Sequence, residues 1–132
     1  MNKTITKQMD FVVQMVCEIT HLTRTELFSR ARDRHLVDAR RLAYSLIREL
    51  FGTPYLKMGS YFGKNHASII HSIKTHKNLL EYDNLYRGRY VRTFRLMYDK
   101  YNEDVIEFLK DKLKDEKNSH VVRAIREDSK IA

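Results

Sequence analysis

A chain of 132 residues and 15.8 kDa has room for one hydrophobic core and too little for two sizeable ones. With 42% hydrophobic and 32% charged residues it is too apolar for a disordered chain, and four Gly and one Pro are too few turn residues for an all-β fold, so an all-α domain is expected. The formal charge of +8 is uneven: residues 1–101 hold eighteen basic and nine acidic side chains, residues 102–132 seven and eight. A basic body of that kind suits a polyanion more than a neutral partner. No apolar run reaches the length of a signal peptide or a membrane span, so a cytoplasmic location without membrane contact is expected. A single cysteine, Cys17, rules out an internal disulfide or a CxxC metal knuckle and reads as a small core residue.

In chain order, Met9, Val12, Val13, Val16 and Ile19 recur at helical spacing and predict a first helix over about 7–20. Thr23-Arg-Thr-Glu26 has the spacing of a capping box and starts a short second helix, which presents Leu27 and Phe28 to the core. The stretch from Arg30 to Arg34 follows as an exposed basic loop. Leu36, Ala39, Leu42, Ala43, Leu46, Ile47 and Leu50 define a long third helix, ended by Gly52 and blocked by Pro54. Leu56, Met58, Tyr61 and Phe62 give two turns of a fourth, and Gly63 makes a turn. Asn65 is a plausible N-cap for a fifth helix, which carries Ile69, Ile70, Ile73 and Leu80 on one side and runs to about Glu81. Tyr90, Val91, Phe94, Met97, Tyr98 and Tyr101 suggest a sixth. Val105, Ile106, Leu109 and Leu113 suggest a seventh, and Val121, Val122 and Ile125 a last turn or two. The charge balance changes near Tyr101-Asn102, which divides the chain into a 1–101 domain and a 102–132 helical extension.

Two helices joined at a glycine turn, the second opening on small polar residues, form the pattern of a helix-turn-helix. On a regular helix, Lys64, Ser68, His71 and Thr75 lie opposite the isoleucines, so the outward face is small, polar and basic, as a helix laid in a major groove requires. Phe62-Gly63-Lys64-Asn65-His66-Ala67-Ser68-Ile69-Ile70-His71-Ser72 resembles, without a gap, the Gly-Gly-Arg-Asp-His-Thr-Thr-Val-Leu-His-Ala signature of the C-terminal DNA-binding domain of DnaA, the bacterial replication initiator. Leu27-Phe-Ser-Arg-Ala-Arg-Asp-Arg34 resembles that family's basic loop, and Ala39-Arg-Arg-Leu-Ala the start of its long middle helix. The resemblance covers about residues 10–98 and implies an all-α fold of the DnaA domain IV, Trp-repressor-like type.

Carried over residue by residue, the resemblance implies base-edge contacts by Lys64, Asn65, His66 and Ser68, a minor-groove role for Arg32 or Arg34, and phosphate contacts by Arg40 and Lys57. His71 faces outward one turn on, and a helical wheel turns His66 toward the apolar side. The chain departs from the signature at Asn65, where an amide replaces a carboxylate and suits adenine N6 and N7 or serves only as a cap. It departs again at Ala67, where a hydroxyl gives way to a methyl suited to apolar contact. Gly59-Ser-Tyr-Phe-Gly63-Lys64-Asn65 is one residue short of a phosphate loop and lacks its Mg²⁺-binding hydroxyl, so no nucleotide is expected. His66, His71 and His76, five residues apart, each turn about 140° from the last and do not converge on a metal. The expectation is a non-enzymatic, sequence-specific duplex-DNA-binding protein without metal or cofactor. It would associate with the nucleoid and serve replication initiation or transcription control, as a free-standing form of the domain from a phage or mobile element. The host initiator and a second copy are further candidate partners. The alternative is a protein-interaction module of the same fold, with the Val105, Ile106, Leu109, Leu113 stripe as its contact surface.

Overall fold

The computed structural model describes residues 3–100, which form six α-helices: α1 (Lys3–Thr20), α2 (Arg24–Phe28), α3 (Arg34–Phe51), α4 (Tyr55–Phe62), α5 (His66–Tyr82) and α6 (Asn84–Lys100). The expected seventh helix, the last turns and the boundary at Tyr101-Asn102 lie outside the described residues. No helix among them is long and apolar enough to cross a membrane.

Helix α3 is the centre of the packing, with α1 on one side and α5 on another, while α6 closes over α1 and α5. Its buried Leu42, Leu46, Ile47 and Leu50 meet Met9, Val12, Val13 and Val16 of α1 in one continuous core that also takes in Tyr90, Phe94 and Met97 of α6. Helix α1 starts earlier than its strongest stripe implied, because Ile5 extends the apolar face by one turn. It ends at His21, whose φ of 58° turns the chain so that the Leu22 amide donates to the Cys17 carbonyl at 3.1 Å. The capping box of α2 forms as its spacing predicts: Thr23 Oγ1 accepts from the Glu26 amide and Glu26 Oε1 accepts from the Thr23 amide, both at 3.1 Å. Those bonds to the charged form hold the Glu26 carboxyl below the usual carboxylate range.

The helix-turn-helix is α4, the turn at Gly63 and α5. Gly63 has φ 66°, a left-handed conformation that glycine adopts without strain, and its amide donates to the Gly59 carbonyl to close α4. Gly59 answers a different need. A Cβ built there would lie 2.6 Å from the Lys64 carbonyl oxygen and 3.4 Å from the His66 nitrogen, so only a residue without a side chain lets the start of α5 rest on α4. Met58 and Phe62 of α4 and Ile69 and Ile73 of α5 fill the space between the two helices and α3.

Asp83 alone separates α5 from α6. Its amide donates to the Leu79 carbonyl at 2.9 Å and its Oδ1 accepts from the Tyr86 amide at 3.0 Å, so one residue ends one helix and caps the next. Arg87 Nε donates to the Leu80 carbonyl at 2.6 Å and fixes the corner. Helix α6 therefore begins well before Tyr90. Tyr86, whose ring contacts His76 edge-on, is buried with it, and burial pushes the Tyr86 hydroxyl well above the usual phenol range.

Candidate nucleic-acid interface

Residues 29–33 link α2 to α3 and expose Arg30, Ala31, Arg32 and Asp33. The five arginines of this region, alike in sequence, have different tasks in space. Arg40 is only 7% exposed. Its Nε donates to the Leu27 carbonyl at 2.7 Å and its Nη1 to the Ala31 carbonyl at 2.6 Å, while Nη2 donates to Ser29 Oγ at 3.0 Å and to the Glu26 carbonyl at 3.3 Å. The expected phosphate contact is corrected by this placement: the guanidinium is spent on the loop backbone and faces inward. Arg41 donates to Asp38 at 2.9 Å, and Arg34, the first residue of α3, to the same carboxylate at 3.3 Å from an exposed position. Arg30 and Arg32 are exposed, with neither ion pair nor hydrogen bond among the described residues. They are the two cations the loop presents to solvent.

An aromatic cluster ties this loop to the helix-turn-helix. Phe28, the last residue of α2, stacks on Phe62 at 5.2 Å between centroids, and Phe62 also meets Tyr44 of α3 edge-on at 4.8 Å. Tyr61 packs against Phe28, and its hydroxyl donates to Asp10, which Arg24 also engages at 3.2 Å. The result is that Lys64, half-buried at the turn, lies within electrostatic reach of Arg40, Arg30 and Arg32. Burial first, then those three cations, hold the Lys64 ammonium below the usual lysine range. Like charges held together in this way are relieved by an anion.

Helix α5 presents its first two turns outward. Asn65 is the N-cap: its Oδ1 accepts from the Ala67 amide at 2.8 Å. His66, Ala67, Ser68 and His71 are all exposed. A helical wheel turns His66 inward, yet it is exposed, beside Gly59 and Ser60 of α4 in one depression. His71 stands one turn further along the outward face, its carbonyl accepting from Thr75 Oγ1 at 3.1 Å. His76 instead is buried and bonded to the Tyr86 hydroxyl, so the three histidines diverge, and among the described residues no three His, Cys, Asp or Glu side chains cluster to hold a metal. Lys57 is exposed on α4.

Beside the start of α5 runs an open depression of about 310 Å³, lined by Leu56, Gly59, Ser60, Gly63, Lys64, Asn65 and His66. Leu56 was expected among the apolar residues of α4, yet it is 70% exposed and forms one wall of this depression. Its place was readable: Tyr55, Met58 and Phe62 share a face, and Leu56 falls out of phase with them. An exposed leucine in the same depression as Asn65 and His66 offers apolar surface of the sort a thymine methyl matches. The site thus joins loop cations, a helix N-terminus with short polar side chains, and one apolar wall.

The fold and this site define the chain as a helix-turn-helix domain. Residues 9–75, just over half of it, match the family described as the bacterial dnaA protein helix-turn-helix, and the chain belongs to that family. It is similar to the chromosomal replication initiator protein DnaA of Leptospira biflexa, at 28% identity over 54% of this chain and 16% of the relative. It is also similar to that of Bacteroides thetaiotaomicron, at 30% over 66% and 19%, and to that of Sulfurimonas denitrificans, at 33% over 57% and 18%. The chain therefore spans under a fifth of the length of these curated relatives. No solved structure matches.

Proposed function

We propose that residues 1–101 form a non-catalytic unit that binds duplex DNA sequence-specifically, in the control of replication initiation or of transcription at the nucleoid. The observation that supports this most directly is the meeting of two unlike surfaces: the exposed Arg30 and Arg32 of the loop, and the segment from Lys64 to Ser68 that opens α5, with Lys64 within electrostatic reach of both loop arginines. The loop fits a narrow minor groove, where the potential is most negative, and the helix start fits the adjacent major groove, where base edges differ. Lys64, which lines the depression, and Lys57, exposed on α4, supply cations to hold phosphates or a base edge. The replication role comes from the initiator relatives, and a domain that shares their DNA-reading surface would compete for similar sites.

Duplex retention as a function of salt tests the proposal. The logarithm of the binding constant should fall steeply and linearly with the logarithm of salt concentration, by about 0.9 per phosphate neutralised. Arg32→Ala should weaken binding to every duplex, with a further loss on A/T-rich flanks if this arginine enters the minor groove. Salt-independent retention, or unchanged affinity in Arg32→Ala and Arg30→Ala alike, would remove the basis of this assignment.

A further inference from the structure

We infer, resting on the duplex-binding reading above, that Arg24 is a positioning residue: it sets the spacing between the basic loop and the helix-turn-helix, so that both engage one duplex at once. Arg24 opens α2, the five-residue helix that runs straight into the loop and whose only buried residue is Leu27. Apolar burial therefore anchors α2 weakly, and contacts made by its other side chains decide where it stands against α4. Arg24 Nη2 donates to the Tyr61 hydroxyl oxygen of α4 at 2.9 Å and to Asp10 Oδ1 of α1 at 3.2 Å, and the Tyr61 hydroxyl donates in turn to Asp10. Burial first, then the bond to Asp10, pushes that hydroxyl up to about 12, so it keeps its proton and closes the triangle. The guanidinium carbon also lies 4.7 Å from the centre of the Phe28 ring and 5.7 Å from that of Tyr61.

The ends of this triangle adjoin the two parts that would touch DNA. Phe28 is followed at once by the loop, and Arg40 gathers the carbonyls of Glu26, Leu27 and Ala31, so the end of α2 and the start of the loop are held as one piece. Tyr61 stands two residues before Gly63, on the helix against which the start of α5 rests. Arg24 thus joins two pieces whose contacts with a duplex are separate, one proposed for each groove. When two contacts share one ligand, the second gains from the first only as far as the link between them holds the right distance. With the Arg24 and Asp10 side chains 55% and 48% exposed, the triangle adds little to overall stability. Its effect on binding is bounded by the free energy with which it holds the bound arrangement, so a loss of moderate size is expected.

Titration of a duplex enriched by the wild-type chain from a random pool, at a temperature where circular dichroism shows every variant folded, tests this. Arg24→Ala should bind about three- to tenfold more weakly. Tyr61→Phe, which removes one hydroxyl and no charge, should weaken binding in the same direction. Asp10→Ala separates positioning from electrostatics: removing a negative charge would by itself tighten binding to a polyanion, whereas loss of the triangle weakens it. A double-mutant cycle reads the coupling, because a loop out of place has less to lose; Arg32→Ala should cost about threefold less in the Arg24→Ala background than in wild type. Unchanged affinity in Arg24→Ala, tighter binding by Asp10→Ala, or costs of Arg24→Ala and Arg32→Ala that multiply independently would each overturn the inference and leave duplex binding intact. Failure of the wild-type chain to retain any duplex would instead overturn the proposed function, and the inference with it.

Discussion

Arg40 and Arg32 lie eight residues apart, one turned to the loop's backbone and the other to solvent, and they should fail in different ways. Removing the Arg40 guanidinium leaves the carbonyls of Glu26, Leu27 and Ala31 without the donor that gathers them. Arg40→Ala should therefore lower the unfolding free energy by about 2 to 4 kcal/mol in urea titration, as loss of a buried, multiply bonded charged group does. It should weaken duplex binding because the loop no longer has one conformation. Arg32→Ala should leave the urea midpoint where it is and change only DNA affinity. If Arg40→Ala matched wild type in stability and merely flattened the salt dependence by one contact, the guanidinium would belong to a phosphate after all. Nothing in the sequence separates these arginines, because the residue type that neutralises a phosphate is also the one with enough donors to organise a loop. The N-cap role of Asn65 was legible, since a short amide one residue past a glycine turn has few other uses there.

Among the elements, helix periods were legible wherever an apolar stripe was strong, and boundaries were hidden wherever side chains of mixed character carried the packing. Helices α2 and α4 stand where their capping box and glycine turn placed them. The start of α6 escaped notice because Leu85 is exposed and Tyr86 and Arg87 look like surface residues in sequence, although Tyr86 is buried on His76 and Arg87 caps α5. Gly59 was seen only as part of a degraded phosphate loop. Its real constraint is a contact between two backbones, which no local pattern reports. Because the atom facing a Cβ at that point is a main-chain oxygen at 2.6 Å, no side-chain rotation relieves the clash, and α4 and α5 must move apart. Gly59→Ala should cost about 1 to 3 kcal/mol in urea unfolding. It should also reduce DNA affinity beyond what stability explains, because the front of α5 shifts against the basic loop. A variant as stable as wild type would show that the two helices tolerate a wider spacing than their packing suggests.

On the scale of the whole molecule, the residues argued to meet DNA come from three connections in the chain: the α2–α3 loop, the face of α4, and the first turns of α5. Helix α3 unites them from behind, while α1 and α6 complete the core without contributing to that surface. The charge follows the same division. Residues 1–101 carry eighteen basic side chains against nine acidic ones, and residues 102–132 carry seven against eight, so the attraction to a polyanion is concentrated in the first 101 residues. Much of the arginine within it is structural, engaged with the loop backbone, with Asp38 or with the end of α5. Net charge therefore overstates the number of phosphate contacts, and the salt slope should be well below the count of cations. A chain ending after Tyr101 should retain most of the full chain's duplex affinity and nearly the same salt slope, because the residues removed add almost no net charge and none of the described interface lies among them. Titration of both forms on one duplex at several salt concentrations, with light scattering for self-association, measures this. Retained affinity with altered self-association would assign residues 102–132 to protein contacts. A marked fall in affinity, with helical content and cooperative unfolding preserved, would place part of the DNA-binding surface beyond Tyr101 and refute the division of labour drawn from the charges.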